Sequence, residues 1–178
     1  MKKLLLFLLV AVFSLTQLLA QESTFEKGDK VLNLGLGFGN SYYGSVYTSH
    51  PPAIAASFEV GVADNVLEKG SIGVGGIVSF STAKYTDYYK TTNIIIGARG
   101  ILHYPLVDKL DTYTGLMLGY NFYKYTYYDL YTGADFSSNS AEFAWFVGAR
   151  YYFSENFAVM GELGFGTTIF NVGIALKF

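Results

Sequence analysis

From residue 30 to the end of the chain, apolar residues alternate with small or polar ones at a period of two, in eight runs separated by polar or glycine-containing connections. Successive side chains of a β-strand point to opposite faces, so each run reads as a strand with one greasy face and one small or polar face. In residues 31–39, Leu32, Leu34, Leu36 and Phe38 share one parity, and Asn33, Gly35, Gly37 and Gly39 share the other. Ile54, Ala56, Phe58, Val60 and Val62 then oppose Ser57, Glu59 and Gly61, and Ile72, Val74, Val78 and Phe80 oppose Gly73, Gly75, Ser79 and Ser81. Ile94, Ile96, Ala98 and Leu102 oppose Asn93, Gly97, Arg99 and His103; Leu116, Leu118, Tyr120 and Phe122 oppose Tyr113, Gly115, Met117, Gly119 and Asn121. The last three runs set Phe143, Trp145, Val147 and Tyr151 against Glu142, Ala144, Gly148, Arg150 and Tyr152, Phe157, Val159, Leu163 and Phe165 against Ala158, Met160 and Glu162, and Phe170, Val172, Ile174, Leu176 and Phe178 against Asn171, Gly173, Ala175 and Lys177. Ile77, Ile95 and Phe146 break the phase. Runs of about ten residues suit the ~9–11 that a tilted transmembrane strand needs.

Charge placement says which face meets what. Glu59, Arg99, Glu142, Arg150, Glu162 and Lys177 all fall on the small or polar parity, and the apolar parity carries no charge. In a water-soluble barrel the greasy face turns inward and the polar face is solvated, and such a face would carry many more charges and fewer glycines. Against lipid, a charge at mid-bilayer costs roughly 2–4 kcal/mol, which explains the exclusion. The expected fold is therefore all-β, an eight-stranded antiparallel up-and-down transmembrane barrel over residues 30–178. A barrel of that size has an interior just wide enough to be filled by side chains. Glu59, Arg99, Arg150 and Glu162 come out at similar depth, with Lys177 nearer the exit, so a polar filling with two or more Arg–carboxylate pairs is expected, since unpaired buried charges are costly.

Connection lengths supply a second test. Residues 40–52, 82–91 and 124–140 read as long loops and residues 64–70, 105–109 and 154–156 as shorter turns, with Thr167–Thr168 brief where a long loop is due. Long external loops and short periplasmic turns are the plan of bacterial outer-membrane barrels and place both termini in the periplasm. Residues 1–20 read as a secretory signal peptide, with Lys2 and Lys3 before an apolar stretch and Ala20 before a polar segment, and residues 21–29 as a short polar periplasmic arm. Beyond the leader no stretch is long and apolar enough for a spanning helix. The chain has no cysteine, which excludes disulfides, thiolate metal sites and a lipidated leader; His50 and His103 are too far apart for a local metal motif, so neither metal nor cofactor is expected. Loss of the leader removes Lys2 and Lys3 and keeps all 14 acids, taking the formal charge from -2 to -4, which argues against nucleic acid as a partner.

Tyr113 to Tyr120, Gly148 to Phe153, Glu162 to Gly166 and Asn171 to Phe178 together resemble the small outer-membrane barrel family typified by OmpA and OmpX, in its single-domain form common in Bacteroidetes. The resemblance covers essentially the whole chain. It implies an outer-membrane location, contact with outer-membrane lipids and lipopolysaccharide, and passage through periplasmic chaperones and the outer-membrane assembly machinery. Phe178, with Leu176 and Ile174 on the same parity, looks like the C-terminal signal which that machinery reads.

The external segments concentrate Tyr42, Tyr43, Tyr47, Tyr85, Tyr88, Tyr89, Tyr125, Tyr127, Tyr128 and Tyr131. Tyrosine gives large contact area at little side-chain entropy, which suits binding of a host or surface ligand; the same rings equally suit packing of the loops on one another. Lys84, Lys90 and Lys124 stand beside them, in place to meet lipopolysaccharide phosphates. The expected role is structural or surface-interacting and non-enzymatic. A narrow porin-like channel for small solutes is the first alternative, resting on the interior charges. An outer-membrane lipid-modifying enzyme is the second, and needs Ser49, His50 and Asp87 to converge. Gly35-x-Gly37-x-Gly39 lacks the third glycine and the helix of a phosphate loop.

Overall fold

A computed structural model describes residues 23–39, 49–85, 89–127 and 135–178. The alternation becomes eight strands: β1 (Lys30–Phe38), β2 (Ala53–Val66), β3 (Gly70–Tyr85), β4 (Tyr89–Val107), β5 (Leu110–Tyr127), β6 (Asp135–Ser154), β7 (Phe157–Phe165) and β8 (Phe170–Lys177). Each pairs antiparallel with the next, and β1 closes on β8 from Val31 opposite Lys177 to Phe38 opposite Phe170, so the sheet is a closed barrel in chain order. No helix occurs among the described residues. The start of β1, the end of β8 and the turns β2–β3, β4–β5 and β6–β7 lie at one end of the barrel, the terminal end. Two of those turns place non-glycine residues in the left-handed region, Asn65, Leu67 and Glu68 in one and Lys109 in the other.

Every strand presents apolar side chains outward. Ile54 is 62% exposed, Leu118 69% and Leu163 54%, while Glu59, Arg99, Arg150 and Glu162 are buried. Rings gather near both ends of this surface: Tyr151 and Phe153 meet edge-on at 5.2 Å at the terminal end, and Phe143 lies 5.9 Å from Phe165 toward the other.

Three features differ from the sequence reading. First, most of the expected loops at 82–91 and 124–140 are strand: β3 and β4 stay paired to Tyr85 opposite Tyr89, and β5 and β6 to Thr126 opposite Asp135. Threonine and tyrosine favour the pleated chain whether or not it is lipid-covered, so loss of the apolar face ends the expected membrane crossing without ending the strand. β3 to β6 therefore run 16, 19, 18 and 20 residues, against 9 and 8 for β7 and β8. Second, the interior is not wholly polar. Ile77, Ile95 and Phe146, which break the phase, all turn inward and pack with Ile101, Tyr113, Met117 and Ala144 in one apolar cluster. Third, the segment read as a polar arm is folded into the terminal end, with Phe25 buried against Val31, Tyr152, Ala158 and Ala175.

Candidate functional site

The interior charges form the most organised site among the described residues. Arg150 is its centre. Its Nη1 lies 2.5 Å from Glu59 Oε1 and 2.8 Å from Asp111 Oδ2, and its Nε donates to Asn33 Oδ1 at 3.0 Å. His103 shares Asp111, with Nδ1 2.9 Å from Oδ1, and its Nε2 is 3.9 Å from Glu59. A second group sits one step further from the terminal end: Arg99 Nη2 is 2.6 Å from Glu162 Oε2, and the Tyr113 hydroxyl donates to the same oxygen at 3.3 Å. Ser57 joins the two, receiving hydrogen bonds from Asn33 Nδ2 at 3.0 Å and Arg99 Nη1 at 3.3 Å. Residues from six strands thus make one continuous network. Both guanidinium groups also lie over rings, Arg99 at 3.7 Å from the Phe146 centroid and Arg150 at 4.5 Å from that of Tyr113.

Glycines make the room. A Cβ at Gly148 would run into the Tyr113 ring and one at Gly115 into the Phe146 ring. The hollow beside Arg99 and Glu162 holds about 10 Å³, space for a single water. The arrangement packs two guanidinium groups against three carboxylates, with His103 between Glu59 and Asp111.

Lys177 stands apart from this network. Its Nζ contacts the Thr24 carbonyl at 3.2 Å and Asp29 Oδ2 at 3.4 Å, and lies over Tyr152 at 5.4 Å. Asp111 is the member that the sequence reading misses. It has the parity of Tyr113, Gly115 and Met117, but lies two residues before the alternating run that starts at Tyr113. His103, on the same inner parity as Arg99, is buried and is also a network partner. Among the described residues, no group of three or more His, Asp or Glu side chains is placed to hold a metal ion.

At the end opposite the termini, Tyr89, Tyr125 and Tyr127 are described, together with Tyr123 and Phe136. Tyr123 stacks on Tyr125 at 5.5 Å, Tyr89 lies 5.7 Å from Tyr127, and Tyr127 meets Phe136 edge-on at 6.2 Å. These rings continue the inner parity of β4, β5 and β6. Lys84, opposite Lys90, and Lys124, opposite Thr92, continue the outer parity. Tyr85 ends β3; Tyr42, Tyr43, Tyr47, Tyr88, Tyr128 and Tyr131 lie outside the described residues, as does Asp87. Ser49 is held by backbone pairing to Lys84, and the exposed His50 borders a hollow of about 320 Å³ with Pro51, Pro52 and Phe38. At the chain's end Ile174 and Phe178 point outward, and Phe178 exchanges backbone hydrogen bonds with Lys30.

No protein-family model matches the chain, and no curated protein is similar to it in sequence. Solved structures are similar in fold. The N-terminal β-barrel domain of OprF from Pseudomonas aeruginosa superposes with a TM-score of 0.56 at 12% identity, over 85% of this chain and 98% of that one. Ail, the attachment invasion locus protein of Yersinia pestis, superposes with a TM-score of 0.53 at 11% identity, over 85% and 99%. Its complex with the heparin analogue sucrose octasulfate gives 0.58 at 9% identity over the same shares. The chain has the fold of these small eight-stranded outer-membrane barrels.

Proposed function

We propose that this chain is an integral outer-membrane barrel protein with a structural or surface-interacting role, its terminal end in the periplasm and its tyrosine-rich end outside the cell. One observation carries the reading: exposed apolar side chains from all eight strands form a continuous outer surface, while Glu59, Arg99, Asp111, Arg150 and Glu162 are buried inside. A water-soluble monomer does not leave so large an apolar surface uncovered, and a bilayer covers it. Residues 1–20 then serve as the export signal and Phe178, Leu176 and Ile174 as the assembly signal, read by periplasmic chaperones and the assembly machinery.

The long β3 to β6 hairpins carry the interaction. They lift the rings of Tyr89, Tyr125, Tyr127 and Phe136 away from the membrane, in place for a host or surface ligand, and turn Lys84, Lys90 and Lys124 toward lipopolysaccharide phosphates. The channel alternative is disfavoured by the filled interior. The test is electrophoresis of outer-membrane fractions with and without boiling. A heat-dependent mobility shift in that fraction supports the reading; recovery of the chain in the soluble fraction sinks it.

A further inference from the structure

The ion network has two ends. Away from the termini it is covered by the apolar layer of Phe146, Met117, Ile77 and Ile95. Toward the termini its cover includes a ring that belongs to no strand. Phe25 is 1% exposed and stacks on His103 with centroids 4.0 Å apart and planes 21° from parallel. The segment around it is tied down on all sides. Ser71 Oγ donates to the Phe25 carbonyl at 2.7 Å, the Gly28 amide donates to the Gly61 carbonyl and the Gly61 amide to the Asp29 carbonyl, each at 2.9 Å. The Lys27 amide donates to Asp64 Oδ1 at 2.6 Å.

The barrel is shaped to receive this segment. A Cβ at Gly61 would collide with the Glu26 carbonyl, and one at Gly73 would stand 3.3 Å from the Phe25 ring. Gly28 itself turns at φ +97°, which a larger residue adopts only with strain. We propose that residues 23–29 are a latch: the segment docks into the terminal end only after β8 has closed on β1, and once docked it seals the His103–Asp111–Arg150–Glu59 network from water.

The order follows from where the partners come from. Ala175 and Lys177 of the last strand form part of the seat, Lys177 holding the Thr24 carbonyl and Asp29. Val31 of the first strand forms another part, and β1 meets β8 only when the seam is made. Before closure the seat is missing one wall, and a seven-residue segment lacks the contacts to offset the entropy of ordering it. After closure, Phe25 gives the network its second dry boundary, which strengthens every ion pair inside.

Two histidines with opposite exposure make the test direct. The protein is refolded from urea into detergent micelles, and barrel closure is followed by the mobility shift on unheated gels. At each time point diethyl pyrocarbonate labelling of His103 is measured by mass spectrometry, with exposed His50 as the internal reference. In the full chain, labelling of His103 relative to His50 is expected to fall about tenfold or more, together with the mobility shift or after it. In Phe25→Ala and in a variant lacking residues 23–29, the mobility shift is expected to remain while His103 labels within about threefold of His50; Phe25→Leu, which refills the seat, is expected to restore protection. The proposal is overturned if His103 stays protected without the segment, if its protection precedes the shift, or if the deletion abolishes the shift, since the segment would then be part of the folding nucleus.

Discussion

Arg99 lies over Phe146, 3.7 Å from guanidinium carbon to ring centroid, at the plane where the charged layer of the interior meets the apolar one. The ring closes the cluster of Ile77, Ile95 and Met117 on one side and holds the guanidinium toward Glu162 on the other. Phe146→Ala removes the ring and leaves a cavity beside a cation. The expected loss is about 3–5 kcal/mol in urea unfolding from lipid vesicles. Phe146→Leu keeps most of the volume and is expected to lose less.

Arg150 pairs with two carboxylates at once, so its removal costs more than the sum of its hydrogen bonds. Arg150→Met is expected to destabilise by about 3–5 kcal/mol, because Glu59 and Asp111 are left buried and facing each other. Adding Glu59→Gln and Asp111→Asn to that variant is expected to recover much of the loss. If the triple variant is no more stable than the single one, the network is not held by charge compensation.

Gly148 is the socket of the Tyr113 ring. Gly148→Ala places a methyl where the ring lies and displaces the hydroxyl that donates to Glu162. The expected cost is about 1–3 kcal/mol, the usual range for overpacking. A Gly148→Ala, Tyr113→Leu double variant that is more stable than the single one would locate the clash.

The outer surface gives the sharpest contrast between environments. Leu118 lies mid-strand, opposite Ala98 and Phe143, and is fully outward. Leu118→Arg is expected to cost roughly 2–4 kcal/mol in a bilayer, whereas Thr126→Arg, beyond the apolar face, is expected to stay within about 1 kcal/mol. Equal effects at the two sites would contradict a lipid-facing belt.

Planar-bilayer recordings of the refolded protein are expected to be silent. The ion pairs of Arg99 and Arg150 and the apolar layer above them fill the cross-section, and the hollow between admits one water. Stable single-channel steps from the unaltered chain would favour the porin-like alternative.

Much of the architecture was legible because a strand's two faces see different solvents along its whole length. Parity alone separated Leu34 and Ile174 from Arg150 and Glu162, and the count of runs set the size of the barrel. Strand ends were less legible, since Thr91, Tyr123 and Thr126 keep the extended chain after its apolar face has ended. Asp111 was missed for the same reason at the other boundary. Phe25 carried no sequence signal, as a lone phenylalanine among polar residues has no period.

By itself, then, the chain determined which side chains share a face and how many strands must close, because those are local, repeating properties of an extended backbone. Only the closed barrel decided that Asp111 and Glu59 share Arg150, that the three phase-breaking residues form one layer, and that Phe25 seals the network below. Those contacts join residues far apart in the chain, and their geometry exists only once β1 and β8 have met.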